Sequence, residues 1–442
     1  MKPDLVRLLC CPSCADDLTL ATPGTVDGQV HEGALVCRGC TASYPIVRGI
    51  PRFVESDGYV GSFSYEWNRW NRVQLDVANG RTESEDTFIE KTGLRPEDLR
   101  GKLVLDVGCG AGRFLDIASR WGARVVGIDY SFAVEASQTN VGSRDNVDVL
   151  QADVFRLPFK PEIFDVIFSI GVLHHTRDTR EAFLRLPPLL KNGGTIAVWL
   201  YYYTDPVYRA ASDFWRAIFS RVPNGLAYAW CWLLVTLFAP LYTSALMKKA
   251  PFWHLPRVLP VNTHEDFRWR VLDTFDWWTP RYQDKDCSPT RVLGWFQEAG
   301  LRDAEILDYP TAMRARRDDA GQLPVLHDSL PALEGARYVV FGAGAGGEHA
   351  LRTLEAFGLA AQVVAVCDNA PAKAGTPFHG HTIRPFASLA REDYDFVIIA
   401  SLPGRAAIAR QLNDAGLVER RQFGTVEFIA DLALPVTRLL AA

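Results

Sequence analysis

Apolar and polar positions alternate in blocks along the 442 residues. Between positions 103 and 201 five short β-rich runs recur: Leu103–Val107, Arg124–Ile128, Val147–Gln151, Phe164–Ile170 and Thr195–Tyr201, with helix-period segments between them. Buried strands alternating with helices predict a parallel, doubly wound α/β sheet. Upstream, residues 1–54 close on the strand-like run Tyr44–Pro51, and residues 55–100 form an aromatic, polar connector. Residues 205–315 are rich in tryptophan, show no clean period, and are expected to be irregular. Within them Pro289-Thr290 opens an amphipathic helix whose Val292, Leu293, Trp295 and Phe296 face a core. A further strand is expected around Ala304–Leu307. A second strand–glycine–helix unit starts at Arg337, with strands at Val363–Val366 and Phe396–Ala400. The expected domains are 1–54, the connector 55–100, 101–320 with an insertion at 205–290, and 335–442.

Composition narrows the class. A hydrophobic content of 48% with 22% charged residues is that of a globular chain, not a disordered or fibrous one. A net charge of -5 argues against a dedicated nucleic-acid binder. No apolar stretch of signal-peptide type follows Met1-Lys2-Pro3-Asp4, so a cytoplasmic protein is expected.

Five of the nine cysteines fall in the first forty residues. Cys11-Pro-Ser-Cys14 and Cys37-Arg-Gly-Cys40 are two C-x-x-C knuckles with 22 residues between them. Each knuckle places two thiolates on one side of a tight turn, and four thiolates complete the tetrahedral shell that Zn2+ favours. Such a metal is structural, because no coordination position stays open. Cys10 is left outside the shell. The knuckles, followed by Tyr44-Pro45-Ile46 and Gly49-Ile50-Pro51, resemble the zinc-ribbon family that activates tRNA and protein methyltransferases. In that family the ribbon is a separate partner; here it is fused in cis.

The strand Val104–Val107 runs into Gly108-Cys109-Gly110-Ala111-Gly112 and a helix start. Glycines 108, 110 and 112 permit positive φ and close approach of a ligand to the backbone. A lone glycine loop is shared with dinucleotide folds. Three carboxylates add to it: Asp106 before the loop suits a cationic ligand, Asp129 ends the next strand where ribose hydroxyls would lie, and Asp153 sits where an adenine amino group needs an acceptor. The runs VLDVGCGAGRF, VVGIDYS, QADVFRLPF, FDVIFSIGVLHH and LLKNGGTIAVW resemble the class I S-adenosylmethionine (SAM) methyltransferases, in the subgroup related to ubiquinone-biosynthesis methyltransferases. That resemblance implies a Rossmann-like seven-stranded sheet with SAM over the carboxyl ends of its first strands. His174 and His175 follow the fourth strand, toward the acceptor; they are candidates for a general base or for shaping the pocket. In the connector, Phe63-Ser-Tyr65-Glu66-Trp67-Asn68-Arg69-Trp70 reads either as a lid or as packing between ribbon and core, and Glu66 is a candidate contact for the methionine amino group.

Residues 225–247 hold no charged side chain. The length passes the threshold for a span. Strands of the same sheet are expected after it, so an apolar lid or homodimer surface, or an interfacial helix making peripheral membrane contact, is preferred over a crossing. Phe275–Tyr282 is read as a loop at the acceptor mouth.

In the last domain Gly342-Ala-Gly344-Ala-Gly-Gly347 follows a strand, and Asp368 lies 24 residues beyond Gly344, as a dinucleotide fold requires. FGAGAGGEHAL, VVAVCDNAPAKAGTPFHGHTI and YDFVIIAS resemble the nucleotide-sugar-binding domain of bacillosamine- and sialic-acid-type acetyltransferases. Gly342, Gly344, Gly347 and Asp368 are the candidate contacts for a second nucleotide or nucleotide-sugar. Together these readings describe a SAM-dependent methyltransferase acting on a small molecule: a sugar, nucleotide-sugar or secondary-metabolite intermediate. A tRNA-modifying enzyme with a fused activator, and a nucleotide sensor with a binding-only methyltransferase fold, are the two alternatives.

Overall fold

Three sheets account for the β-rich runs. The structure, a computed structural model, describes residues 1–203, 205–244, 255–307, 311–317, 336–356, 359–401, 404–418 and 422–425. It divides into two units, Met1–Leu323 and Pro324–Ala442.

The first unit opens with an antiparallel ribbon, β1 (Leu18–Ala21), β2 (Gly33–Cys37), β3 (Ser43–Val47) and β4 (Ile50–Pro51), paired in that order. The connector then folds into four short helices: α1 (Gly61–Arg69), α2 (Asp76–Asn79), α3 (Glu83–Thr92) and α4 (Pro96–Leu99). Phe88 of α3, Leu94 and Leu99 are buried in the same core as the sheet, so the connector is part of the body.

The central sheet holds seven strands. β5 (Leu103–Val107), β6 (Arg124–Asp129), β7 (Val147–Gln151), β8 (Phe164–Ile170) and β9 (Leu190–Trp199) are parallel, with α5 (Arg113–Arg120), α6 (Val134–Val141) and α7 (Thr179–Leu184) between them. Four of the five β5 residues and all five of β7 are buried, as strands covered on both faces must be. β10 (Leu301–Ile306) and β11 (Ala312–Arg317) complete the order β10-β11-β9-β8-β5-β6-β7, with β11 antiparallel to both neighbours. This is the Rossmann-like methyltransferase fold that the motifs imply.

The ribbon closes one edge of that sheet. The backbone N–H of Phe53 donates to Gln151 O at the end of β7 (2.8 Å), and Cys10 N donates to Pro158 O (3.0 Å). The nearly buried Arg52 guanidinium donates to Gln151 Oε1 (2.9 Å) and pairs with Glu135.

The described residues of 205–315 are largely helical, contrary to the expected irregularity. They form α8 (Pro206–Phe219), α9 (Asn224–Thr243), α10 (Leu255–Val258), α11 (Phe267–Trp278) and α12 (Pro289–Glu298) ahead of β10. The expected loop at Phe275–Tyr282 is likewise corrected, since α11 continues through Trp278. Asp266 caps that helix, its carboxylate accepting from Arg268 N (2.8 Å) and Trp269 N (3.1 Å), and Pro280 lies just past its end. Aromatic side chains lie on both of its sides, which hides its period from the sequence. The apolar stretch is one helix as far as Thr243; residues 245–247 fall outside the described set.

The second unit is a six-stranded sheet. β12 (Tyr338–Phe341), α13 (Ala345–Ala356), β13 (Val363–Cys367), β14 (Pro377–Phe378), β15 (His381–Arg384), β16 (Phe396–Ile399), α14 (Arg405–Asp414) and β17 (Phe423–Thr425) follow in sequence. The strand order is β14-β15-β13-β12-β16-β17, parallel except for the β14–β15 hairpin.

Candidate active site

The glycine loop leaves β5 at its carboxyl end. Gly108 has φ of 85° and a Cβ built there would lie 2.3 Å from Val172 Cγ1, so no side chain fits. Gly108 N and Cys109 N donate to Ile128 O at 2.7 and 2.9 Å, tying the loop to β6. Asp129, the last residue of β6, accepts from Gly110 N (3.0 Å), Ser131 N (2.8 Å) and Ser131 Oγ (2.6 Å). Burial nonetheless pushes its carboxyl above the ordinary range. Asp106 is fully buried on β5 and its Oδ2 has no partner. Burial first, then the Asp129 charge, push it well above an ordinary carboxyl. Asp153 lies on the cavity wall, its Oδ1 accepting from Phe155 N (3.0 Å).

A cavity of about 490 Å³ opens over this loop. Gly108, Gly110, Asp129 and Asp153 line one half; Gly112 sits behind, its absent Cβ facing Ser137 and Val141. Trp67 of α1 lies over that half, its ring 3.6 Å from where a Gly110 Cβ would stand, and Phe63 lines the wall nearer His175, ring centroids 5.3 Å apart. Glu66 points elsewhere: fully buried, both oxygens without partners, it turns toward Asp276 and Asp273 and not toward the glycine loop. Burial holds its carboxyl well above the ordinary range.

The sequence pattern sets Phe275–Tyr282 and His175 toward the other half of the cavity but does not mark Lys91, Trp199 and Asp273. That half lies between the ends of β8 and β9 and helix α11. Asp273 accepts from Gln74 Nε2 (3.1 Å) and Asn262 Nδ2 (2.8 Å), and burial lifts its carboxyl to about 6. Asp276, one turn on, has an Oδ1 with no partner; burial and then the Asp273 charge push it up to about 7. Lys91 of α3 rests with Nζ 3.3 Å from the centroid of the Trp199 ring, and burial, then Arg113, lower its ammonium to about 7. Trp269, Leu272, Asp273 and Asp276 follow one helical stripe, and two acids in such a stripe are the signal that was there to find.

Only one of the two histidines lines this space. His175 is on the wall; a backbone carbonyl, Tyr282 O, lies 3.0 Å from Nδ1, so that nitrogen carries the hydrogen and Nε2 presents a lone pair. Burial lowers its pKa to about 3. His174 is packed behind, stacked on Tyr201 at 3.8 Å, with neither ring nitrogen hydrogen-bonded. Burial first and His175 second push it well below the ordinary value.

The four knuckle cysteines converge. The sulfurs of Cys11, Cys14, Cys37 and Cys40 all lie within 4.8 Å of one another, with Cys11–Cys40 at 3.6 Å and Cys14–Cys37 at 3.4 Å. A tetrahedral zinc with Zn–S near ~2.3 Å sets sulfurs roughly 3.8 Å apart, so the cluster fits that ion. Cys10 lies outside the cluster.

In the second unit, Gly342 (φ 124°) and Gly347 pack so closely that a Cβ at Gly347 would stand 2.1 Å from Gly342 O. Gly344 is open on its Cβ side. Asp368 is engaged internally: it accepts from Ala343 N, Ala370 N and Lys373 Nζ, each at 2.8 Å. Against the upward pull of partial burial, the Lys373 bond and the two N–H donors hold it below the ordinary range.

Residues 105–198 match the family described as methyltransferase domain, residues 2–49 the Trm112p-like protein family, and residues 335–423 the family C2185-like, N-terminal. The last description names no acetyltransferase. Among curated relatives, phosphoethanolamine N-methyltransferase 1 of Zea mays is 35% identical over 138 residues, 29% of this chain and 26% of that protein. A tRNA U34 carboxymethyltransferase of Marinobacter nauticus is 38% identical over 137 residues, 29% of this chain and 41% of that protein. The chain thus spans well under half the length of these relatives. A complex between the Haloferax volcanii Trm112 methyltransferase activator and its putative methyltransferase aligns at 21% identity and a TM-score of 0.28, covering 33% of this chain and 63% of that one. The chain therefore carries a methyltransferase domain preceded by a Trm112-like ribbon.

Proposed function

We propose that this chain is a SAM-dependent methyltransferase whose acceptor enters the half of the cavity lined by Asp276, Lys91, His175 and Trp199. The observation that supports it is the cavity over the glycine loop, where Gly108 and Gly110 bring the backbone to the wall and Asp129 and Asp153 line the same side. Two carboxylates beside an open backbone suit the hydroxyls and amino group of a nucleoside better than a pyrophosphate, which wants N–H donors. When bound, SAM supplies a methyl group on an electrophilic sulfonium. Asp129 and Asp153 then accept from ribose hydroxyls and the adenine amino group, and the glycines let the nucleoside approach the backbone. Trp67 excludes water from the donor, and the far wall aligns the acceptor. The Asp276 carboxylate, lifted to about 7, is the group suited to receive an acceptor proton, while His175, held near 3 with Nε2 buried, shapes the wall.

A cavity of about 490 Å³ favours a small acceptor, or one group of a larger molecule that reaches inside. The Trm112-like match and the tRNA-modifying relatives favour a second reading, in which that group is a nucleoside of tRNA. For the carboxy-terminal unit the glycine run at the start of α13 supports a nucleotide or nucleotide-sugar module, with the Asp368–Lys373 bond opening to free a carboxylate for the ribose. Calorimetry of the zinc-loaded chain with S-adenosylhomocysteine tests the first claim, and absence of affinity for it and for SAM refutes it. Labelled SAM incubated with a metabolite extract and, separately, with bulk tRNA then decides the acceptor class by which fraction gains the label.

A further inference from the structure

Helix α9 is apolar around its whole circumference, yet the protein covers only one side of it. Ala227, Cys231, Val235 and Ala239 are buried at a spacing of four, against α11 and its neighbours. On the remaining faces Leu226 is 60% exposed, Trp230 53%, Leu237 58%, and Trp232 and Leu233 more than 40%. Helix α8, which also packs on α11, adds exposed Phe214 and Ile218. Isolated exposed leucines are ordinary, but a 20-residue helix without one charge and with five such residues needs an apolar partner.

Charge identifies that partner. Residues 214–264, bounded by Asp213 and Glu265, contain no Asp or Glu and five cations, Arg216, Arg221, Lys248, Lys249 and Arg257, of which Arg216 is buried and Arg257 pairs with Asp205. Arg221 is exposed just before α9. Arg69 is exposed over the rings of Trp70 and Tyr228, at 5.2 and 5.6 Å, and the exposed Arg268 also acts on Tyr228. These guanidinium groups lie at the start of α9 and along its Tyr228 edge, on the protein side of the apolar face, from which long side chains reach the headgroups while acyl chains meet the exposed residues. A crossing is excluded by topology: α9 lies along α11, and the chain returns as β10 and β11 into the sheet that holds β9. Among the described residues α9 is the one helix long and apolar enough to cross a membrane.

We propose that α9 lies in the plane of an anionic membrane surface, with Leu226, Trp230, Leu233 and Leu237 in the acyl boundary and Arg221, Arg69 and Arg268 on lipid phosphates. The proposal does not depend on the methyl-transfer reading. Co-sedimentation of the full zinc-loaded chain with phosphatidylcholine vesicles, with and without phosphatidylglycerol, tests it. Binding is expected on the anionic vesicles alone and weakens as salt is raised. Trp230→Asp with Leu233→Asp should reduce partitioning about tenfold or more, while Arg221→Glu with Arg268→Glu should remove the preference for anionic lipid. All variants are expected to keep the wild-type melting temperature, since these side chains are exposed. Equal binding to both vesicle types, or binding unchanged in the aspartate variant, overturns it. Failure to bind any vesicle, with a dimer in sedimentation equilibrium that the aspartate variant splits, assigns the face to a second copy and also overturns it.

Discussion

Asp276→Asn tests whether the acceptor half of the cavity is desolvated as its geometry implies. The wild-type carboxyl is lifted from an ordinary 3.8 to about 7 by burial and the neighbouring Asp273. A folded state that keeps a proton the unfolded state has lost is favoured at low pH. Its stability falls as pH rises from about 4 to about 7, and the loss is complete above that. At ~1.4 kcal/mol per unit the full penalty would be about 4 kcal/mol. Asp276 keeps part of its surface in the cavity, so solvent screening reduces this to about 2 kcal/mol. Asparagine carries no charge and escapes the penalty. The variant should therefore melt with the wild type near pH 4 and about 4 °C above it at pH 8, at ~2 °C per kcal/mol. The assay is a pair of thermal scans across that range, read as a difference so that Asp106 cancels; removing the Asp276 charge also eases ionisation of Glu66 and Asp273, which adds to the shift in the same direction. Affinity for S-adenosylhomocysteine should not change, because Asp276 lies across the cavity from the glycine loop. Parallel melting curves at every pH would refute the argument, because the carboxylate would then be as well hydrated in the folded protein as in the unfolded chain.

Gly108→Ala places a methyl group 2.3 Å from Val172 at a φ of 85°, and should lower stability by about 2–3 kcal/mol and remove nucleoside affinity, checked by melting and calorimetry. Asp129→Asn keeps the shape but weakens its acceptor oxygens; nucleoside affinity should fall about 10-fold or more, a loss of ~1.5–3 kcal/mol, with a smaller change in melting temperature. Cys14→Ser removes one of four thiolates, so bound zinc measured by elemental analysis should fall below one equivalent and the melting temperature with it. His175→Phe removes a ring that burial keeps neutral down to pH about 3. The wild type should lose stability relative to this variant as pH falls from about 6.5 toward 3, because only the unfolded imidazole takes up a proton there.

The half of the cavity over the glycine loop was legible because its residues are local. Gly108, Gly110 and Asp129 fall within 22 residues on one strand–turn–helix–strand unit and come together on the wall, whereas Asp106 and Gly112 lie behind it. The strands between Leu103 and Trp199 were legible for a related reason, since each is a short apolar run bounded by turn residues. The acceptor half is assembled from α3, β9 and α11, whose residues 91, 199 and 276 have no sequence spacing that implies contact. Helix α11 hid further because Phe267, Trp277 and Trp278 spread aromatic character around its circumference. In α9 the difficulty was the opposite: with every face apolar, no period marks which side the protein covers. Only the packed structure shows that the buried stripe is Ala227, Cys231, Val235 and Ala239.

The position of the ribbon limits what its metal can do. An exposed edge strand offers unpaired N–H and C=O groups, and β7 is the edge of the central sheet. The chain at Arg52 and Phe53 bonds to Gln151, at the end of that strand, and Cys10 and Lys160 bond across to Pro158 and Leu8. These contacts lie beside β7, which ends at Gln151, just before the cavity-lining Ala152 and Asp153. The cysteines, by contrast, do not line the cavity. A zinc held by these four cysteines would therefore bear on the cavity through the β7 edge and the backbone bonds beside Ala152 and Asp153, and not by contact with anything inside it.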